Sequence, residues 1–264
     1  NTTDENITSP KHTELALAQL GRAGAKPRFF AWYHLLDPHD QYMLHPSGKD
    51  FGRGATNMYD GELYFTDMHL GKILEYVDAQ PWGKRTAIVV TSDHGEAFGE
   101  KKMYRHGFEL WEVLVHVPLI VHVPGQAPRK IDEPRSMLDL APTILELFDV
   151  AKPADMTGES LLGEIKGGEA RSRDVLVDLP RSSDNDRRRA LIRGRHKIIA
   201  FGDDSPFQLY DVVDDPGEKK DLSRTNKDLF ETMKQAYLEA AKQVPEVCPK
   251  MTEKLKGRNK QKSC

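Results

Sequence analysis

Thr86-Ala-Ile-Val-Val-Thr-Ser-Asp-His-Gly-Glu96, followed by Tyr104-Arg-His-Gly107, is the stretch around which the rest of the chain is organised. Its apolar, largely β-branched run Ala87–Val90 predicts a buried strand. The run delivers Asp93 and His94 and then breaks at Gly95. Ligands of open α/β sheets bind beyond the carboxyl ends of strands. A carboxylate and an imidazole side by side at such an end can hold a divalent cation. His106 follows across a loop containing glycine and lysine, which can fold back over the same place. The plainer reading is an Asp-His-Gly turn without chemistry, since Asp and Gly are ordinary turn residues.

A second apolar run, Arg28-Phe-Phe-Ala-Trp-Tyr-His-Leu-Leu36, also predicts a buried strand and ends on Asp37-Pro-His-Asp40. It repeats the pattern of a core strand bringing a histidine and carboxylates to its end. His39 is the candidate there, against the alternative of a histidine satisfied by turn carbonyls. Helical spacing marks His12–Leu20, a long segment Met58–Gln80, Ser136–Phe148 with Ser136 or Asp139 as its cap, and Asp228–Val244. On Met58–Gln80 the apolar positions are Met58, Tyr59, Leu63, Tyr64, Leu70, Ile73, Leu74 and Val77, and Asp67 and His69 are read as structural or solvated. Val113–Val123 reads as a further buried run interrupted by His116 and Pro118. Short strands are expected over Ala190–Phe201 and Phe207–Val212, with a turn at Asp214-Asp-Pro-Gly217. The fold class that follows is α/β. Residues 1–165 form a core, 166–245 a small C-terminal antiparallel β plus helix subdomain, and 246–264 a basic tail.

Composition narrows the function classes. The 264 residues are 38% hydrophobic and 30% charged with a net charge of −3, which gives no electrostatic footprint for nucleic acid. No run of about 18 apolar residues occurs, so a membrane could be reached only through a segment outside this sequence. The chain opens on Asn1 without methionine, an edge read as a cut within a longer protein. Cys248 and Cys264 both sit in the tail, either as a small disulfide loop or as two unrelated thiols.

Ser92-Asp-His-Gly-Glu96, Gly99-Glu100, His106-Gly107 and His116-Val-Pro-Leu-Ile120 together resemble the second metal-ligand block of the sulfatase family, within the alkaline phosphatase superfamily. Pro38-His-Asp-Gln-Tyr42 resembles the family's Pro-His-x-Pro-Tyr element, with Gln41 in place of the second proline. Asp139, Pro142 and Thr143 match an Asp-x-x-Pro-Thr helix pattern, and Leu209-Tyr-Asp211 with Asp215-Pro-Gly-Glu218 is similar to the family's C-terminal subdomain. The resemblance runs from about Phe29 to about Leu238 and corresponds to the second half of a family member.

The resemblance implies an alkaline phosphatase-type mixed sheet flanked by helices and a metal-dependent sulfuric ester hydrolase in an extracytoplasmic setting. It assigns Asp93 and His94 as metal ligands, with calcium the first expectation and zinc or manganese the alternatives. It assigns His39 and His106 to the transferred group or the leaving oxygen. The family's nucleophile, a Cys/Ser-x-Pro-x-Arg element converted to formylglycine, has no counterpart here. Thr8-Ser-Pro-Lys-His12 imitates it without the arginine. The expectation is therefore a fragment that is inactive alone, its formylglycine belonging to an N-terminal half.

Gly107 stands where calcium-dependent sulfatases carry a lysine, and the same block is similar to zinc-binding phosphoethanolamine transferases. Phosphoryl transfer or phosphodiester or phosphonate hydrolysis is thus the alternative chemistry. A non-catalytic scaffold is the alternative of another class.

Overall fold

The structure, a computed structural model, describes residues 8–45, 49–182 and 185–244. The basic tail and both cysteines lie outside the described residues. In chain order the elements are α1 (Ser9–Ala23), α2 (Ala55–Asp78), β1 (Ile88–Thr91), β2 (Ala97–Phe98), β3 (Tyr104–Arg105), α3 (Glu112–Val115), β4 (Leu119–His122), α4 (Leu140–Leu147), α5 (Leu162–Ile165), β5 (Val175–Leu179), β6 (Arg188–Arg193), β7 (His196–Phe201), β8 (Phe207–Asp211) and α6 (Lys227–Ala241). The described residues fall into two compact units divided between Val89 and Val90, with Val121–Gly125 belonging to the first.

In the first unit, α1 and α2 pack through Ala16, Leu20, Ile73 and Val77, with Phe29, Tyr33, Trp82 and Ile88 around them. Helix α1 begins at Ser9, three residues before the expected His12, because Pro10 suits a first turn and a distant carboxylate caps that turn. Asp37 accepts hydrogen bonds from the Thr8 hydroxyl at 2.6 Å and the Ser9 N–H at 2.8 Å, and also from the Thr8 N–H. Thr8-Ser9-Pro10 therefore serves as a helix start in this fold.

The inward face of α2 is Glu62, Phe65, His69, Ile73 and Val77. The apolar count had included Leu63 and Tyr64, which are exposed. Polar partners decide the rotation of the helix. Glu62 accepts the Met43 N–H at 2.6 Å and pairs with His45, and the Thr13 hydroxyl lies 2.8 Å from His69 Nδ1. The reading of His69 as structural agrees with this, and Asp67 is exposed.

Arg28–Leu36 corrects an expectation: the segment is assigned to no strand, and Phe30 and Trp32 are exposed. A strand needs a hydrogen-bonded neighbour, and none of the sheets formed by the described residues includes it. Strand β1 forms one residue later than expected and is half-buried, because it has one neighbour, β4, in a two-stranded sheet. Val113–Val115 is also corrected. It forms a helical turn, and the extended run begins only after Pro118, at Leu119.

In the second unit, β5–β6–β7–β8 form an antiparallel meander. The register aligns Leu191 with Ile198 and Ile198 with Leu209. That face packs on Met233 and Tyr237 of α6, and full burial of such side chains contributes about 1.5–3 kcal/mol each. The opposite face, with Ala190, Ile199 and Tyr210, packs on Leu110, Trp111 and Val115. Ser136 caps the 3-10 turn ahead of α4 in a capping box with Asp139. Asp139 also accepts the Glu159 N–H at 2.9 Å and pairs with Arg173 at 2.8 Å, so its role in this fold is structural.

Candidate active site

The turn after β1 is built by its own polar groups. The Ser92 hydroxyl donates to the His94 carbonyl at 2.6 Å, and the His94 N–H donates to Asp93 Oδ1 at 3.1 Å. Gly95 lets the turn rest on α3. Its N–H donates to the Leu114 carbonyl at 2.8 Å, and a Cβ there would stand 2.1 Å from the Val113 carbonyl oxygen. Only glycine permits that approach.

The chain then forms the hairpin β2–β3, pairing Ala97 with Arg105 and Phe98 with Tyr104. The hairpin returns His106 to His94, and the two imidazoles stack with centroids 3.8 Å apart.

Each ring is oriented through Nδ1. His94 Nδ1 lies 2.9 Å from the Gly95 carbonyl, which places the proton on Nδ1 and the lone pair on Nε2. That Nε2 is 3.8 Å from Asp93 Oδ2. Two donors bound to one cation at 2.0–2.6 Å stand roughly 3–4 Å apart. Asp93 and His94 therefore fit two positions on a divalent ion as a carboxylate–imidazole pair. Among the described residues no group of three or more His, Cys, Asp or Glu side chains forms a cage.

His106 Nδ1 lies 3.2 Å from Glu96 Oε2, and the Glu96 side chain is buried. A carboxylate in that position accepts a proton carried on Nδ1 and so orients the ring. Glu96 is the functional candidate that residue spacing did not single out, although it stands in the Asp-His-Gly-Glu block. The signal was the placement of the block ahead of a tight hairpin, which turns a ten-residue separation into a contact.

His39 belongs to the first unit. Its N–H donates to the Leu36 carbonyl and its Nδ1 is 2.8 Å from the Asp40 carbonyl. Asp37, two residues earlier, ties this turn to the start of α1. Burial acts to raise the Asp37 carboxyl, but hydrogen bonds from Ser9 and Thr8 outweigh it and hold it below the usual carboxylate range.

A mixed α/β chain thus brings a carboxylate–imidazole pair and a carboxylate-backed histidine together after a strand. Comparison with known proteins names the family. Residues 4–150 match the Sulfatase family model, and residues 99–243 match the model for N-sulphoglucosamine sulphohydrolase, C-terminal. The chain belongs to the sulfatase family, in the alkaline phosphatase superfamily.

Arylsulfatase K of Mus musculus is 27% identical over 204 residues, covering 72% of this chain and 37% of that protein. A solved 2-O GAG sulfatase superposes with a TM-score of 0.65 at 19% identity, covering 88% of this chain and 62% of the other. The phosphonate monoester hydrolase of Agrobacterium radiobacter shares the fold with a TM-score of 0.59 at 22% identity, covering 71% and 40%. The chain spans between 23% and 38% of the length of the curated relatives it matches.

Proposed function

We propose that these residues form the metal-binding and proton-delivering region of a sulfuric ester hydrolase, acting as part of a longer protein that also supplies the nucleophile. The observation that carries the reading is the convergence of Asp93, His94 and the Glu96-backed His106 at the end of β1.

Asp93 Oδ2 and His94 Nε2 hold a divalent cation, calcium first and zinc or manganese next. When bound, such an ion neutralises the charge of the sulfuryl oxygens and stabilises an attacking oxyanion. The Gly95 carbonyl holds the proton on His94 Nδ1, which leaves Nε2 as the nitrogen that would face the ion. His106, with Glu96 behind it, holds a proton for the departing ester oxygen, which leaves as an alcohol rather than an alkoxide. His39 contacts the sulfuryl group or the leaving oxygen. The substrate is a sulfate ester, consistent with the relatives named above, and the setting is extracytoplasmic.

A second reading, hydrolysis or transfer of phosphoryl or phosphonyl groups, rests on the resemblance: Gly107 stands at about the place where calcium-dependent sulfatases usually carry a lysine. The two are separated by assaying the complete protein on matched aryl sulfate and aryl phosphate esters. The proposal expects sulfate turnover to dominate. Dominant phosphate turnover would select the second reading, and turnover of neither would leave the fold as a scaffold.

A further inference from the structure

A buried charge cluster ties the C-terminal sheet to the segments that carry His94 and His106. Lys197 of β7 is fully buried at 0% exposure, an unusual state for a lysine. Its ammonium stands 2.9 Å from Glu112 Oε1 and 3.0 Å from Glu218 Oε1. Glu218, 1% exposed, accepts the Glu112 N–H at 2.8 Å through its other oxygen and so caps the first turn of α3. That turn supplies the Leu114 carbonyl on which Gly95 rests, next to His94.

A second lysine reaches the same place from the hairpin. Lys101, in the loop joining β2 to β3, has a left-handed backbone, φ +52°. A residue other than glycine keeps that conformation only where its surroundings hold it. Its ammonium lies 4.5 Å from the centroid of Trp111 and 4.8 Å from that of Tyr210, and donates to the Glu218 backbone carbonyl. Trp111 precedes α3 and Tyr210 lies on β8, beside Lys197 in the register.

We propose that Lys101 and Lys197 are positioning residues that clamp the His106 hairpin and the His94 turn onto the C-terminal sheet through Glu112 and Glu218. The spacing of the two imidazoles is then set by the small β subdomain and is not a property of the β2–β3 hairpin alone. A two-residue-per-strand hairpin has too few ladder bonds to fix a side chain by itself. The clamp supplies the missing restraint through two cation–π contacts. The catalytic consequence rests on the proposed sulfatase reading; the positional one does not.

The test uses Lys101→Met and Lys101→Arg, with hydrogen exchange and turnover measured on the same preparations. Lys197→Met leaves two buried carboxylates without their cation and risks unfolding, so Lys101 carries the decision. In Lys101→Met, the Gly95 and Gly99 amides are expected to exchange at least tenfold faster while those of β6–β8 are unchanged. Turnover is expected to fall at least fivefold in kcat with KM retained, and Lys101→Arg to restore most of both. Exchange that is unchanged at Gly95 and Gly99, or raised equally across β6–β8, would overturn the clamp. If the wild type has no sulfatase activity, the functional reading fails while the exchange arm still decides the positional one.

Discussion

The imidazoles of His94 and His106 stack with centroids 3.8 Å apart and planes 24° from parallel. Their supports differ: a backbone carbonyl for His94 and a buried carboxylate for His106. A neutral acceptor holds a ring as a lone-pair donor, whereas a carboxylate favours a ring that carries and gives a proton.

Replacing Glu96 with Gln keeps the size of the group behind His106 and removes its charge. Turnover of an ester with a poor alcohol leaving group is expected to fall on the order of 100-fold, the low end of what a positioned general acid contributes. An activated nitrophenyl ester should lose much less, because its leaving oxygen needs little protonation. Steady-state kinetics on the pair checks this, and equal losses on both would remove Glu96 from proton delivery.

Asp37 gives a pH prediction. Its folded-state carboxyl is held below its ordinary value, so its contribution is present above the unfolded carboxylate range and is lost as pH falls through the lowered value. At neutral pH Asp37→Asn should destabilise the unit by about 2 kcal/mol, the scale of a hydrogen-bonded charged cap. Thermal melts of both forms at stepped pH should converge in acid. A difference that persists undiminished at the acid end would contradict the assignment.

Gly95→Ala tests the seat of the turn that carries Asp93 and His94. The added methyl would stand 2.1 Å from the Val113 carbonyl oxygen, so the turn or α3 must shift. A loss of roughly 1–3 kcal/mol in urea unfolding is expected, as for overpacked sites. Gly107→Ala serves as a comparison, because a Cβ there meets nothing within 4 Å although its φ is +98°. Its cost is backbone strain alone and should leave the Gly95 contact intact.

Much of this architecture was legible because local rules decided it. Ser136 and Asp139 read as a cap and form one. The Asp214–Gly217 turn and strands β6 to β8 follow from turn chemistry and alternation, whereas β5 carries no such signal in the reading above. The misses share a cause: tertiary partners. Leu63 and Tyr64 belong to the apolar spacing of α2, but Glu62 and His69 take the inward face because hydrogen-bond partners await them. Ser9 starts α1 because a carboxylate 28 positions away caps it, which periodicity cannot reveal. At the site, the motif puts Asp93, His94 and His106 forward, and the hairpin brings the rings of His94 and His106 into contact. Glu96 and Lys101 became visible only once the hairpin had brought distant positions together.

The most direct test of the account is divalent metal content and sulfate ester turnover measured on one sample of the complete protein, wild type against Asp93→Asn and His94→Ala. Asp93 is exposed and His94 half-buried, so neither change should cost more than about 1 kcal/mol of stability. The account expects a bound divalent ion and sulfate turnover in the wild type, with both lost together in each variant. Metal and turnover retained at wild-type levels in both variants would contradict it, since Asp93 and His94 would then not be the residues that hold the ion.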